Sequence, residues 1–114
     1  MKSLKRRWQR LKNDRIGSYI GLAMQAGKVK SGEFATEKSV KSGRAAVVIL
    51  ANDASQNTRK KFKDMCAFYE VPFMEYGTRE TLGHSIGKEY RASLAIEDVG
   101  FYKAIKKQMD SEQM

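Results

Sequence analysis

Lys28, Lys30, Gly32, Lys38 and Lys41 cluster around what reads as a strand–helix junction, and together they suit the binding of phosphates. A helix start offers unpaired backbone N–H groups and the positive end of the helix dipole. Gly32 lets a backbone approach without a Cβ in the way. Lysines one turn further on neutralise neighbouring phosphates. A second group, Lys88, Glu89, Tyr90 and Arg91, mixes charge with an aromatic ring, and a loop aromatic can stack on an extruded RNA base. Surface helices and core-covering loops offer similar patterns, so neither group is specific by itself.

Catalytic chemistry finds no comparable constellation. His84 is the chain's one histidine; no cysteine or acidic pattern matches it as a metal site, and it reads as a surface or boundary imidazole. The patterns G-x-x-x-x-G-K-S/T and G-x-G-x-x-G are absent. The carboxylates are scattered singly among bases, so no enzyme, no metal and no cofactor is expected. Cys66 has no second cysteine to pair with and reads as an inert core thiol near Phe62 and Tyr69.

Charge points to the partner. Within 114 residues, enough for one domain, 22 Lys+Arg stand against 13 Asp+Glu, a net charge of +9. A basic domain of this size points to a polyanion, most often nucleic acid, with an acidic membrane surface or an acidic protein as competitors. The start is the most basic part: Lys2, Lys5, Arg6, Arg7, Arg10, Lys12 and Arg15 face one acid, Asp14. Residues 1–12 read as a basic arm on which Leu4, Trp8 and Leu11 share helical spacing. The longest apolar run, Ala45 to Ala51, is far short of the roughly 20 residues of a membrane span. With a lone cysteine and no apolar signal core, a reducing cytoplasm is expected, and with no signal for a stable oligomer, a monomer.

The elements that must position these groups alternate along the chain. Ile16, Tyr19, Ile20, Ala23 and Met24 carry helical periodicity from about Asn13, ended by Gly27. A strand over Lys28–Ser31 leads to a helix over Glu33–Ser42, closed by Gly43. The β-branched run Ala45–Ala51 reads as a strand buried on both faces. Asn57 or Thr58 is expected to cap a helix carrying Phe62, Met65, Cys66 and Tyr69. Pro72 to Tyr76 reads as a strand, and Thr78 as the cap of a short helix bearing Leu82 and Ile86. A last strand over Ser93–Ile96 precedes a helix capped by Asp98, with Ile105 and Met109 facing inward. Helix–strand alternation with short connections predicts an α/β fold, a single-domain three-layer α/β/α sandwich with a four-stranded mixed sheet over residues 13–109 and a tail over 110–114.

The run Gly21-Leu22-Ala23-Met24-Gln25-Ala26-Gly27-Lys28, then Ser31-Gly32-Glu33, Ala51-Asn52-Asp53-Ala54-Ser55 and Leu82-Gly83, resembles the kink-turn RNA-binding ribosomal protein superfamily, and within it the small bacterial members. The resemblance covers roughly residues 13–109 and implies the same α/β/α sandwich. It also implies a grip on kinked RNA through the start of the second helix, where Gly32 matches the family's glycine and Lys38 its lysine. Phe34 and Ala35 occupy the positions of the family's Asn-Glu pair, whose polar side chains read sheared G·A pairs. Lys88 to Ala92 match the second family contact, a loop laid against an extruded base; there Tyr90 would stack and Arg91 would hold a phosphate. Asp53 matches a family acid that positions the RNA-binding surface.

The resulting expectation is a non-enzymatic binder of kinked or structured RNA, ribosomal RNA foremost, associated with the ribosome. The alternative is a protein-interaction module of the same fold, with Phe34 as a hydrophobic contact.

Overall fold

The computed structural model describes residues 15–112. The expected arm, with Leu4, Trp8 and Leu11, lies outside the described residues. Helix α1 covers residues 15–25, and Ile16, Ile20 and Ala23 are fully buried along one face of it. Gly27, at φ 73°, turns the chain out of the helix. The elements that follow are β1 (Val29–Ser31), α2 (Glu33–Lys41), β2 (Val47–Leu50), α3 (Gln56–Tyr69), β3 (Phe73–Glu75), α4 (Arg79–Ser85), β4 (Ser93–Ile96) and α5 (Val99–Glu112).

The strands order as β1-β4-β2-β3. Strand β2 pairs parallel with β3 and antiparallel with β4, and β1 pairs antiparallel with β4, so the sheet is mixed as expected. Val48 sits between Ala95 of β4 and Phe73 of β3. The two central strands are buried at every position, which is why the Ala45–Ala51 stretch reads as a continuous apolar run rather than an alternating one. Side chains still alternate in direction. Val47 and Ile49 join Ile16, Ile20, Leu82 and Ile105 under α1, α4 and α5. Val48 and Leu50 join Val40, Phe62 and Cys66 under α2 and α3. Two cores on opposite faces of one sheet make the three-layer sandwich.

The ends of the helices follow local chemistry, with one correction. Thr78 and Thr81 cap α4 reciprocally: Thr81 N–H donates to Thr78 Oγ1 at 3.1 Å, and Thr78 N–H to Thr81 Oγ1 at 2.8 Å. Asp98 Oδ1 accepts from Phe101 N–H at 3.0 Å at the start of α5. Helix α3 is capped by Ser55, not by Asn57 or Thr58. Ser55 is extended, and its Oγ accepts from Thr58 N–H at 3.2 Å, which starts the helix earlier than expected and leaves Asn57 and Thr58 within its first turn. Tyr69 is exposed, edge-on to Phe68 at 5.0 Å, because Met65, Val71 and Phe73 already cover that side of the core. Helix α5 runs to Glu112, beyond the expected domain end at 109, with Lys106 and Asp110 paired at 3.4 Å across one turn.

Cys66 is only 1% exposed. Burial pushes its thiol up from the ordinary 9.0 to about 11. The folded chain therefore keeps a proton that the unfolded chain releases. The contribution of Cys66 to stability is constant below about pH 9 and is lost as pH rises from there toward 11. A Cys66→Ala variant is expected to lose that alkaline fall, as read from denaturant midpoints across this range. An identical fall in both proteins would assign it to another group.

Candidate nucleic-acid interface

The strand directions bring four connections to one end of the sheet: the exits of β1, β2 and β3 and the entry to β4. The two groups singled out in the sequence meet there. Gly32 caps α2 at φ 91°, ψ 162°, a backbone region reserved in practice for glycine. Its N–H donates to Ser93 O at 3.1 Å. Behind it, buried Ser93 Oγ lies 3.4 Å from Thr36 Oγ1. Arg91 closes the junction: its Nε donates to Ser31 Oγ at 3.2 Å and its Nη1 to Tyr90 O at 2.6 Å. Arg91 N–H also donates to Arg79 O at 2.9 Å, which ties the loop to the first turn of α4.

The Lys88–Arg91 loop is held from below as well. Lys88 N–H donates to Gly83 O at 2.8 Å. A Cβ on Gly83 would stand 2.5 Å from Glu89 O and 2.9 Å from Tyr90 N, so only glycine allows α4 and the loop this close together. Tyr90 is left 63% exposed on the loop's outer side. The neighbouring β2–α3 connection belongs to the same assembly. Asp53 Oδ1 accepts from Arg79 N–H at 2.8 Å, and its other oxygen lies 3.5 Å from Arg79 Nε. Arg59 donates to Asn52 O at 2.9 Å and pairs with Glu75. Asp53 thus positions α4 relative to the central strand.

The charged residues around α2 divide into paired and unpaired. Lys61 of α3 reaches Glu33 at 3.0 Å and Glu37 at 3.3 Å, and Lys41 reaches Glu37 at 3.0 Å. Hydrogen bonding from Lys41, and then from Lys61, holds the Glu37 carboxyl below its usual range. The hydrogen bond to Glu33 raises Lys61. Glu33 and Lys41 are therefore engaged within the protein. Lys30, Lys38 and Lys88 are exposed and form no ion pair among the described residues. Lys28 is exposed too, but it sits at the other end of β1, where its carbonyl accepts from Glu97 N–H at 2.7 Å. It does not join the cluster at Gly32. Phe34 projects from the first turn of α2 with 79% of its surface exposed, and Ala35 beside it is half-buried.

Sequence reasoning missed Arg79, an exposed cation on this end of the molecule. Its partner Asp53 is 26 residues away, and no periodic pattern connects them.

A groove of about 830 Å³ lies between α1 and α4 and includes Asn52, Tyr76, Thr81, His84 and Ser85. Ser85 Oγ donates to Thr81 O at 2.9 Å, and no hydrogen bond among the described residues joins His84 to a hydroxyl. No group of three or more metal-ligating side chains occurs among the described residues. No described helix is long and apolar enough to cross a membrane.

Residues 14–106 match the model of the ribosomal protein L7Ae/L30e/S12e/Gadd45 family. The chain is 48% identical over 82 residues to the RNA-binding protein YlxQ of Bacillus subtilis strain 168, covering 72% of this chain and 82% of that protein. Among solved structures, a Bacillus halodurans protein of unknown function superposes with a TM-score of 0.80 at 36% identity, covering 83% of this chain and 96% of the other. The Giardia lamblia 15.5kD RNA binding protein shares the fold, with a TM-score of 0.71 at 20% identity over 82% of this chain and 84% of that one. By sequence and by fold, the chain belongs to the L7Ae/L30e/S12e/Gadd45 family of ribosomal proteins.

Proposed function

We propose that this protein is a cytoplasmic, monomeric and non-enzymatic RNA-binding protein that grips a bent, structured RNA of the kink-turn kind, with ribosomal RNA as its foremost target and the ribosome as its setting. One observation carries the reading: the Gly32 start of α2 and the Lys88–Arg91 loop are locked together through Arg91–Ser31 and Gly32–Ser93. Unpaired lysines flank that junction. Phosphates of the RNA lie against the α2 N–H groups and Lys38, and the loop presents Tyr90 to an unstacked base. Its relatives include a protein named for RNA binding, and the net charge of +9 supplies long-range attraction.

Replacing Lys38 by Ala is expected to weaken binding of every structured RNA. It should also lower the slope of log affinity against log salt by about one unit, the signature of one lost phosphate contact. Fluorescence anisotropy titrations across a salt series measure both. An unchanged slope and affinity would remove Lys38 from the interface.

A second reading, docking of a protein, draws on the exposed Phe68–Tyr69 pair at the end of α3 and on Phe34. It predicts RNA affinity that is weak and indifferent to RNA shape.

A further inference from the structure

Phe34 has no folding explanation. The inward face of α2 is already filled by Thr36, Ser39 and Val40, and the Phe34 ring stands in solvent. It forms one wall of a depression of about 410 Å³ between α2 and the β1 edge, shared with Lys30, Lys38, Ser39, Arg44 and Glu97. That volume is within the range of small-ligand sites. None of the three cations forms an ion pair among the described residues, and neither does Glu97. Ser39 Oγ donates to Glu97 Oε2 at 2.6 Å, which fixes the carboxylate while Oε1 receives no hydrogen bond from the described residues.

From this set we infer that the depression is a nucleotide subsite for an unpaired guanosine of the bound RNA, an inference that rests on the RNA reading of the interface. The exposed ring offers a stacking face, which any base can use. The carboxylate selects among bases because it only accepts hydrogen bonds. Guanine alone presents two adjacent N–H donors, N1–H and N2–H, on its Watson–Crick edge. Adenine and cytosine turn a ring-nitrogen lone pair toward the carboxylate, and uracil sets its one N–H between two carbonyls. In a duplex that guanine edge is occupied, so the nucleotide must be unpaired. The rise of α2 separates Phe34 from Ser39 by about 7.5 Å along the axis, comparable to a purine and one hydrogen bond. Lys30, Lys38 and Arg44 neutralise the phosphates on either side. Stacking on Phe34 thus stands where the family's Asn-Glu pair would read base edges.

The test uses one RNA stem with a single unpaired nucleotide, guanosine or adenosine, titrated with the full chain by fluorescence anisotropy. The wild-type protein is expected to prefer guanosine by about tenfold, the discrimination of one good bidentate contact. Glu97→Gln should erase that preference while still binding both RNAs. Phe34→Ala should weaken both by about tenfold, and Phe34→Tyr should restore them. Phe34 is exposed, so its loss leaves the fold intact. Equal binding of the two RNAs by the wild type, or a guanosine preference that survives Glu97→Gln, would overturn the inference and leave the RNA reading standing. Binding of neither RNA would overturn the RNA reading itself. Tighter binding of free 5′-GMP than of the guanosine RNA would place the site outside the RNA interface and likewise overturn the proposal.

Discussion

Gly83→Ala is expected to cost about 1–3 kcal/mol of stability and to weaken RNA binding by about tenfold. The new Cβ meets Glu89 O at 2.5 Å and Tyr90 N at 2.9 Å. Both obstacles are backbone, so no side chain can swing away to make room. Either α4 rises from the sheet, pulling buried Leu82 with it, or the Lys88–Arg91 loop shifts outward. The loop is the weaker partner, since its hold on the domain runs through Arg91 and single backbone hydrogen bonds at 2.8 and 2.9 Å. Loss of the Arg91–Ser31 contact would then separate Tyr90 from the start of α2 while Lys38 stays in place. Denaturant midpoints and amide exchange at residues 88–91, measured beside RNA titrations, check both halves. A variant with wild-type stability and affinity would show that the close approach of α4 and the loop does not hold the interface together.

Phe62→Ala is expected to have the largest effect on stability, about 3–5 kcal/mol, and almost none on recognition. Phe62 is fully buried among Val40, Val48, Leu50 and Cys66, in the core under α2 and α3. Its loss leaves a cavity there. Domains of this kind have a total stability of only about 5–15 kcal/mol, so the variant should be partly unfolded on mild heating. The fraction that remains folded keeps Gly32, Arg91 and the loops in place, since their hydrogen bonds run to Ser93, Ser31, Tyr90 and Arg79 and not to Phe62. Affinity corrected for the folded fraction should therefore match the wild type. A large loss in that corrected affinity would mean that packing under α3 sets the geometry of the interface.

These two substitutions also mark what could and could not be read from the sequence. Phe62 lies on a helical period and announces itself as core. The central strands were legible for a related reason: Val47–Leu50 and Ser93–Ile96 are buried on both faces, so Val47–Leu50 is apolar without a break and β4 carries one small polar residue, Ser93, before Leu94-Ala95-Ile96. Thr78 and Asp98 were legible as caps because capping is local chemistry. Ser55 was not, because Ser55, Asn57 and Thr58 are all competent caps and only the point where the backbone leaves the extended region selects among them.

The interface was half legible. Gly32 with its lysines, and Lys88 to Arg91, each carried a recognisable pattern. Their meeting depends on β4 inserting between β1 and β2, a pairing that joins Ser31 to Arg91 across 60 residues. The same holds for the Gly83–Glu89 approach and the Asp53–Arg79 contact, which are tertiary events with no periodic trace. Lys41 shows the converse. Its type and position suited a phosphate, yet Glu37 one turn away claims it.

The central claim is that the junction of α2 and the Lys88–Arg91 loop reads RNA shape and does not merely attract negative charge. The most direct measurement is a titration of the protein with a kink-turn RNA and with a straight duplex of matched length, at two salt concentrations. Phosphate attraction alone falls steeply with salt for both RNAs, whereas contacts to unstacked bases persist. The account predicts tighter binding of the kinked RNA, with the preference maintained at the higher salt. Equal affinities that fall together as salt rises would contradict it.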